Sequence, residues 1–307
     1  MMNVTDMYNT SETSTNVYEI PTSYYIYTVV SVIILLLICV GNGLTIFIIL
    51  KYTELQRDTS FLMMSLAVAD LIVGLVTSFS IADYYVWGNF PTCLARYVLF
   101  TLCSQASVIT LVCIAIDRFV AVSYPLHYTT TITRMRLCIM ITVTWSISVL
   151  TSIILVWWHK PLQELECYFY KIVPMYFLSG VAGGFFIVAT ATIVGLYAAI
   201  FAQAQKQANK IRMLEVTMNP GGKPVDNRAN IKSAKVLGII VGIYLFCWAP
   251  LFIVGFCNTP LPNQTETVGV LFTVSGLLAS LNSVVNPFIY GWKNKQFRKA
   301  YKKVLCG

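Results

Sequence analysis

Seven stretches of mostly apolar residues, at roughly 24–50, 61–86, 95–124, 137–158, 172–203, 236–258 and 268–292, alternate with short polar segments along this chain. Each is long enough, at 1.5 Å per residue, to cross ~30 Å of hydrocarbon as a helix. The run from Tyr97 to Ile116 has no charged residue over 20 positions and then meets the adjacent charges of Asp117 and Arg118. Such a pair is tolerated where a span reaches the interface, because arginine extends to headgroups and water. Residues 1–22 are polar, contain no Lys or Arg, and predict a disordered tail. Lys293 to Val304 is basic and amphipathic, which predicts a short helix lying on a membrane surface. The expected fold is an all-α membrane protein with three parts. These are an N-terminal tail at 1–22, a bundle of seven transmembrane helices at 23–292, and the amphipathic helix with its tail at 293–307.

Composition points the same way. The chain is 57% hydrophobic and 11% charged, against roughly 25% charged residues in soluble domains. The net charge of +8 raises the question of nucleic acid, and the placement of the charges answers it. With the N-terminus outside, all Lys and Arg except Arg96, Lys160 and Lys171 fall on the inner side. The positive-inside rule therefore selects that orientation and makes the basic surface cytoplasmic, with no nucleic-acid footprint. Three N-glycosylation sequons, at Asn3, Asn9 and Asn263, fall on the outer side independently. No basic n-region with an apolar core opens the chain, so no cleaved signal peptide is expected. Nine cysteines without a CxxC pair and two histidines give no metal-site spacing.

Along the spans, polar motifs recur in a fixed order. Gly41–Asn42 comes first, then SLAVAD ending at Asp70, and Cys93 at the outer start of span three. Asp117–Phe119 (DRF), Trp145 and Tyr197 follow, and FCWAP at Phe246–Pro250 and NPFIY at Asn286–Tyr290 complete the set. In this array the chain resembles the rhodopsin-like (class A) G protein-coupled receptors over nearly its whole length. Four segments are more narrowly similar to adenosine receptors: Ser104–Tyr128, Cys167–Phe177, Ala234–Val254 and Asn282–Val304.

The resemblance implies a receptor that binds a small extracellular ligand and activates a cytoplasmic heterotrimeric G protein. It assigns coupling and activation to Asp117, Arg118, Tyr197, Pro287 and Tyr290. The outer loop would be held by a Cys93–Cys167 disulfide, with Cys257 as the alternative partner on the same oxidising side. Asp70 at mid-membrane needs partners, and the resemblance gathers Asn42, Ser107, Trp248, Asn282 and Asn286 around it. Asp70, Ser107, Asn282 and Asn286 would hold an allosteric sodium ion, a hard cation that favours oxygen ligands; a water-filled network is the alternative. No other cofactor is implied. Membrane lipids are partners by default, and Cys306, after the basic helix, is a candidate for palmitoylation.

For the ligand, the resemblance points to Phe100, Ser104, Gln105, Phe169, Trp248, Leu251, Phe252 and Ser280, with helix packing as the alternative role of each. Three departures count against adenosine itself. The purine-binding asparagine of span six falls at Gly255, the histidine of span seven at Ser280, and its span-one glutamate at Ser31. Phe252 also replaces a histidine. Amine receptors place an aspartate where this chain has Phe100, and opsins a lysine near Ser280 in span seven. A lipid or other apolar small molecule therefore stays open, as does a ligandless, constitutively active receptor. The usual prolines near Trp145 and Ala189 are missing, so spans four and five are expected to run straighter. The acidic residue that holds the motif arginine from span six in many family members falls at Asn230. A transporter or channel needs a continuous polar path that the spans lack beyond Asp70, and no nucleophile–base constellation suggests an enzyme.

Overall fold

The computed structural model describes residues 22–55, 60–85, 90–159, 172–218, 228–258, 266–293 and 295–306. Among these every regular element is helical: α1 (Thr22–Lys51), α2 (Ser60–Tyr85), α3 (Phe90–Ser123), α4 (Arg134–Trp158), α5 (Gly183–Met218), α6 (Arg228–Asn258), α7 (Glu266–Lys293) and α8 (Lys295–Leu305). Among the described residues six helices, α1–α5 and α7, carry apolar segments long enough to cross a membrane, and α6 contributes the shorter apolar segment Val241–Cys257.

Local chemistry sets the ends. Pro125 opens a tight turn that closes α3, since proline cannot donate to the preceding turn. Thr133 caps α4, its hydroxyl oxygen accepting from the Arg136 backbone N–H at 3.4 Å. Two helices outrun their apolar stretches at the ends joined by residues 219–227. α5 continues to Met218 and α6 begins at Arg228, because hydropathy marks where a helix leaves lipid and not where its hydrogen bonding stops.

The bundle buries a set of polar groups within its core and turns many apolar residues outward. Asn42, Asp70, Ser107, Asn282, Ser283 and Asn286 are buried, while Val29, Ile33, Leu36 and Val40 of α1 and Ile139, Val143, Leu150 and Trp157 of α4 are exposed. Water would drive the reverse arrangement; lipid accepts this one. Small residues bring the helices together. A Cβ on Gly74 would sit 2.8 Å from Ile38 Cγ2, and one on Gly41 would sit 3.0 Å from Pro287 Cγ. α8 folds back beneath α1 and α2, burying Phe297 and Ala300 against Ile48, Ile49 and Leu66. Its Tyr301 hydroxyl lies 2.6 Å from Thr45 Oγ1 of α1.

The expectation of straight helices holds only locally. α4 and α5 run unbroken through Trp145 and Ala189, yet a π-helical turn, Phe177–Ala182, precedes α5. The wide turn sits just after Pro174 and feeds directly into the helix.

Candidate functional site

Residues three and four apart share one side of a helix, so α3 turns Phe100, Thr101, Ser104, Gln105 and Val108 toward a common space. Facing them are Phe177 and Leu178 of the π-turn, Phe185 and Phe186 of α5, and Tyr244, Trp248, Leu251 and Phe252 of α6. They line a cleft that is partly open to solvent, a concave, mostly apolar setting of the kind small molecules occupy. The inner wall is an aromatic stack. Phe186 lies 4.5 Å from Phe252 and 5.8 Å from Tyr244 between ring centroids, and Phe252 lies 6.2 Å from Trp248.

The π-turn shapes the outer wall. It buries Phe177 and Leu178, and Leu178 fills the space that a side chain at position 255 would take. A Cβ on Gly255 would stand 2.7 Å from Leu178 Cδ2 and 3.1 Å from its Cγ. Six of the residues that the resemblance assigns to a ligand line the cleft: Phe100, Ser104, Gln105, Trp248, Leu251 and Phe252. Ser280 is not among the lining residues, and its hydroxyl donates to the Gly276 carbonyl at 3.0 Å. Phe169 lies outside the described residues. Gln105 is anchored from behind, its Oε1 accepting from the Thr151 hydroxyl of α4.

Asp70 lies at the centre of the bundle and is fully buried. Its Oδ1 accepts from Ser107 at 2.9 Å and from Ser283 at 2.8 Å, and its Oδ2 accepts from Asn286 Nδ2 at 2.7 Å. The structure adds Ser283, which the sequence expectation does not name, and leaves the Asn282 amide nitrogen buried without a hydrogen-bond partner. Asn282 and Ser283 both lie about one turn from Asn286, so spacing alone does not separate them. Pro287 sets Ser283 apart in another way. Having no N–H, it leaves the carbonyl four residues earlier, that of Ser283, without its helical donor. Asn42 Nδ2 donates to that carbonyl at 3.0 Å, and Gly41 allows Pro287 the close approach this requires. Sequence reasoning missed Ser283, although its position one helical step before a proline was a usable signal.

Near the C-terminal end of α3, Asp117 is buried and Arg118 is half-exposed. Arg118 Nη2 lies 3.1 Å from Asp117 Oδ2, and the Tyr128 hydroxyl donates to Asp117 Oδ1 at 2.8 Å. The contact with Arg118 is a charge pairing and not an aligned hydrogen bond, since Asp117 Oδ2 has no hydrogen-bond partner. Gln207 of α5 donates to the Val122 carbonyl at 2.8 Å and ties α5 to the C-terminal end of α3. Tyr197 is partly buried on α5, and Trp145 donates to Ser65 Oγ at 3.0 Å, fixing α4 on α2. The side chains of Tyr290 and Asn230 lie outside the described ones. At the outer end, Cys93 is disulfide-bonded and Cys257 is free; Cys167 lies outside the described residues, as do Asn3, Asn9 and Asn263. Cys306 is free and exposed at the end of α8.

A family model, 7 transmembrane receptor (rhodopsin family), matches residues 41–290, from the glycine packed on Pro287 to the last residue of NPFIY. The chain belongs to the rhodopsin family. It is 32% identical over 282 residues to trace amine-associated receptor 13c of Danio rerio, covering 86% of this chain and 81% of that one. It is 29% identical over 304 residues to adenosine receptor A2a of Homo sapiens, covering 91% and 72%. To alpha-1A adrenergic receptor of Oryzias latipes it is 29% identical over 304 residues, spanning 63% of that protein's length. This rhodopsin-family member is thus a multi-pass membrane protein and a G protein-coupled receptor, not an enzyme.

Proposed function

We propose that this receptor sits in the plasma membrane as a seven-span bundle with its N-terminus outside. It binds a small extracellular ligand in the cleft between α3, α5 and α6, and it activates a heterotrimeric G protein at the inner face. One observation carries the reading. α3 is a single unbroken helix that bears Ser104 and Gln105 in the cleft and Arg118 at its inner end, about 20 Å away at 1.5 Å per residue. A ligand resting on Trp248 alters the Phe252–Phe186 stack between α6 and α5. Pro250 gives α6 a weak point at the level of the cleft, where a helix bends readily. Movement of the inner end of α6 releases Arg118 toward the G protein, with Tyr197 and Tyr290 stabilising the open state of a two-state bundle.

Adenosine is a weak or silent ligand in this reading. Leu178 occupies the place where an asparagine at position 255 would project, and the Ser280 hydroxyl bonds its own helix. The aromatic lining favours a second reading for the ligand, a lipid or other apolar small molecule. A second-messenger screen over nucleosides, lipids and amines in cells tests both. A neutral, non-nucleoside agonist is expected, with the response lost in Arg118→Ala at unchanged surface expression. Potent signalling by adenosine, or a response that survives Arg118→Ala, would overturn the reading.

An allosteric sodium ion at Asp70 belongs to the same proposal. The donor set supports it, since the Asp70 carboxylate and the Ser107 and Ser283 hydroxyls are hard oxygen donors. Asn42 Oδ1 adds a buried carbonyl oxygen with no hydrogen-bond partner. Bound there, the ion supplies charge compensation to a buried carboxylate. Thermal unfolding of the purified receptor in sodium chloride and in choline chloride checks this. Sodium is expected to stabilise the wild type and not Asp70→Asn, and an equal effect on both would count against the site. The Cys93–Cys167 disulfide is supported by a bonded Cys93 beside a free Cys257. Non-reducing peptide mapping that finds Cys167 free would refute it.

A further inference from the structure

Three buried polar atoms without hydrogen-bond partners line the same cleft: Ser104 Oγ, Gln105 Nε2 and Trp248 Nε1. The three residues are 6%, 7% and 7% exposed, so bulk water does not satisfy these atoms. Chemistry fixes what they require. The indole N–H and the amide NH2 only donate, and a hydroxyl donates or accepts. The Gln105 carbonyl oxygen already accepts from Thr151, whereas its amide nitrogen has no partner. An acceptor is the one group that would satisfy all three atoms. No Asp, Glu, Lys or Arg is among the described lining residues, so a charged ligand has no ion-pair partner among them. A protonated amine placed there would be a buried charge with no partner, and a carboxylate would have no cation. The rest of the wall is apolar and mostly aromatic, with Phe186 and Phe252 stacked within it.

We infer that the cleft takes an uncharged, largely apolar small molecule whose hydrogen-bond acceptor, such as a carbonyl oxygen, sits against Ser104, Gln105 and Trp248. The inference rests on the reading of this cleft as the ligand site of the receptor. Three probes that share one carbon skeleton separate the terms: 1-tetralone carries the acceptor, 1-aminotetralin the cation, and tetralin neither. Their binding to the purified full-length receptor in nanodiscs is measured by saturation-transfer NMR and by shift of the unfolding temperature.

The ketone is expected to bind most tightly, with the amine and the hydrocarbon each about ten-fold weaker. Ser104→Ala should weaken the ketone by about five-fold and leave tetralin unchanged. Gln105→Glu keeps the acceptor for Thr151 and adds a carboxylate, so it should reverse the order in favour of the amine. Its equilibrium with the amine also serves as proof of folding. Tetralin binding as tightly as the ketone would mean that water satisfies the three donors, and it overturns the proposal. Amine binding at or above the ketone in the wild type, or no ketone binding at millimolar concentration, overturns it as well. Nucleotide exchange on purified heterotrimeric G proteins is read in parallel. Ketone selectivity without any exchange would sink the signalling reading and leave the cleft chemistry standing. Exchange driven by an amine would do the opposite.

Discussion

Pro287 cannot donate to the Ser283 carbonyl, and a bare carbonyl inside a bilayer costs several kcal/mol. Asn42 provides the missing N–H from another helix at 3.0 Å, and the Ser283 side chain is then free to donate to Asp70. Removing the Asn42 amide should therefore destabilise the bundle by about 1–3 kcal/mol. Thermal unfolding of Asn42→Leu checks the size of that loss. The stronger check is a double-mutant cycle. In a Pro287→Ala background the alanine N–H returns to the Ser283 carbonyl, so Asn42→Leu should cost clearly less there; equal costs in both backgrounds would contradict the pairing. At this scale the sequence was legible where a motif named the residue, as for Asp70, Ser107 and Asn286. Ser283 was not, because one serine beside several others in span seven carries no mark until the proline offset is known.

At the scale of elements, the π-turn and α6 fit through glycine. Gly255 leaves room for Leu178, and Gly183 does the same for Phe256, whose Cζ would stand 2.8 Å from an added Cβ. Gly255→Ala should cost about 1–3 kcal/mol, the usual penalty for overpacking, and Leu178→Ala in the same chain should recover part of it. Simple additivity of the two, measured as unfolding temperature, would show that they do not meet. The same contact means that Gly255→Asn with Ser280→His and Ser31→Glu restores adenosine signalling only when Leu178 is also reduced. At the inner end, Tyr301→Phe breaks the hydroxyl contact with Thr45 and should lower stability by about 0.5–1.5 kcal/mol, read by the same unfolding assay. The seven apolar runs were legible because a span must be continuously apolar. The π-turn was not, since the missing proline near Ala189 suggested a straight helix and the irregularity lies a few turns earlier, after Pro174. The inner extensions of α5 and α6 escaped for a different reason: a polar helix outside the membrane leaves no trace in hydropathy.

The molecule is a bundle of helices with a polar cluster around Asp70 in its core and many apolar residues turned outward, and α3 carries both the cleft residues and the half-exposed Arg118. Arg118 is held by its neighbour Asp117, and a local pair of this kind does not tie α3 to α6. By the resemblance, Asn230 falls where many family members carry an acidic partner, and we propose that the inactive state therefore forgoes a cross-helix ion pair, which is stronger than a neutral hydrogen bond. A loss of ~1 kcal/mol shifts a two-state population several-fold, so signalling without ligand is expected, and Asn230→Glu should lower it. The most direct measurement is GDP release from a panel of purified heterotrimeric G proteins, with the receptor in nanodiscs and no ligand added. The account predicts several-fold acceleration of at least one heterotrimer, reduced by Asn230→Glu and abolished by Arg118→Ala at an unchanged unfolding temperature. No acceleration of any heterotrimer, or acceleration that Arg118→Ala leaves intact, would contradict it.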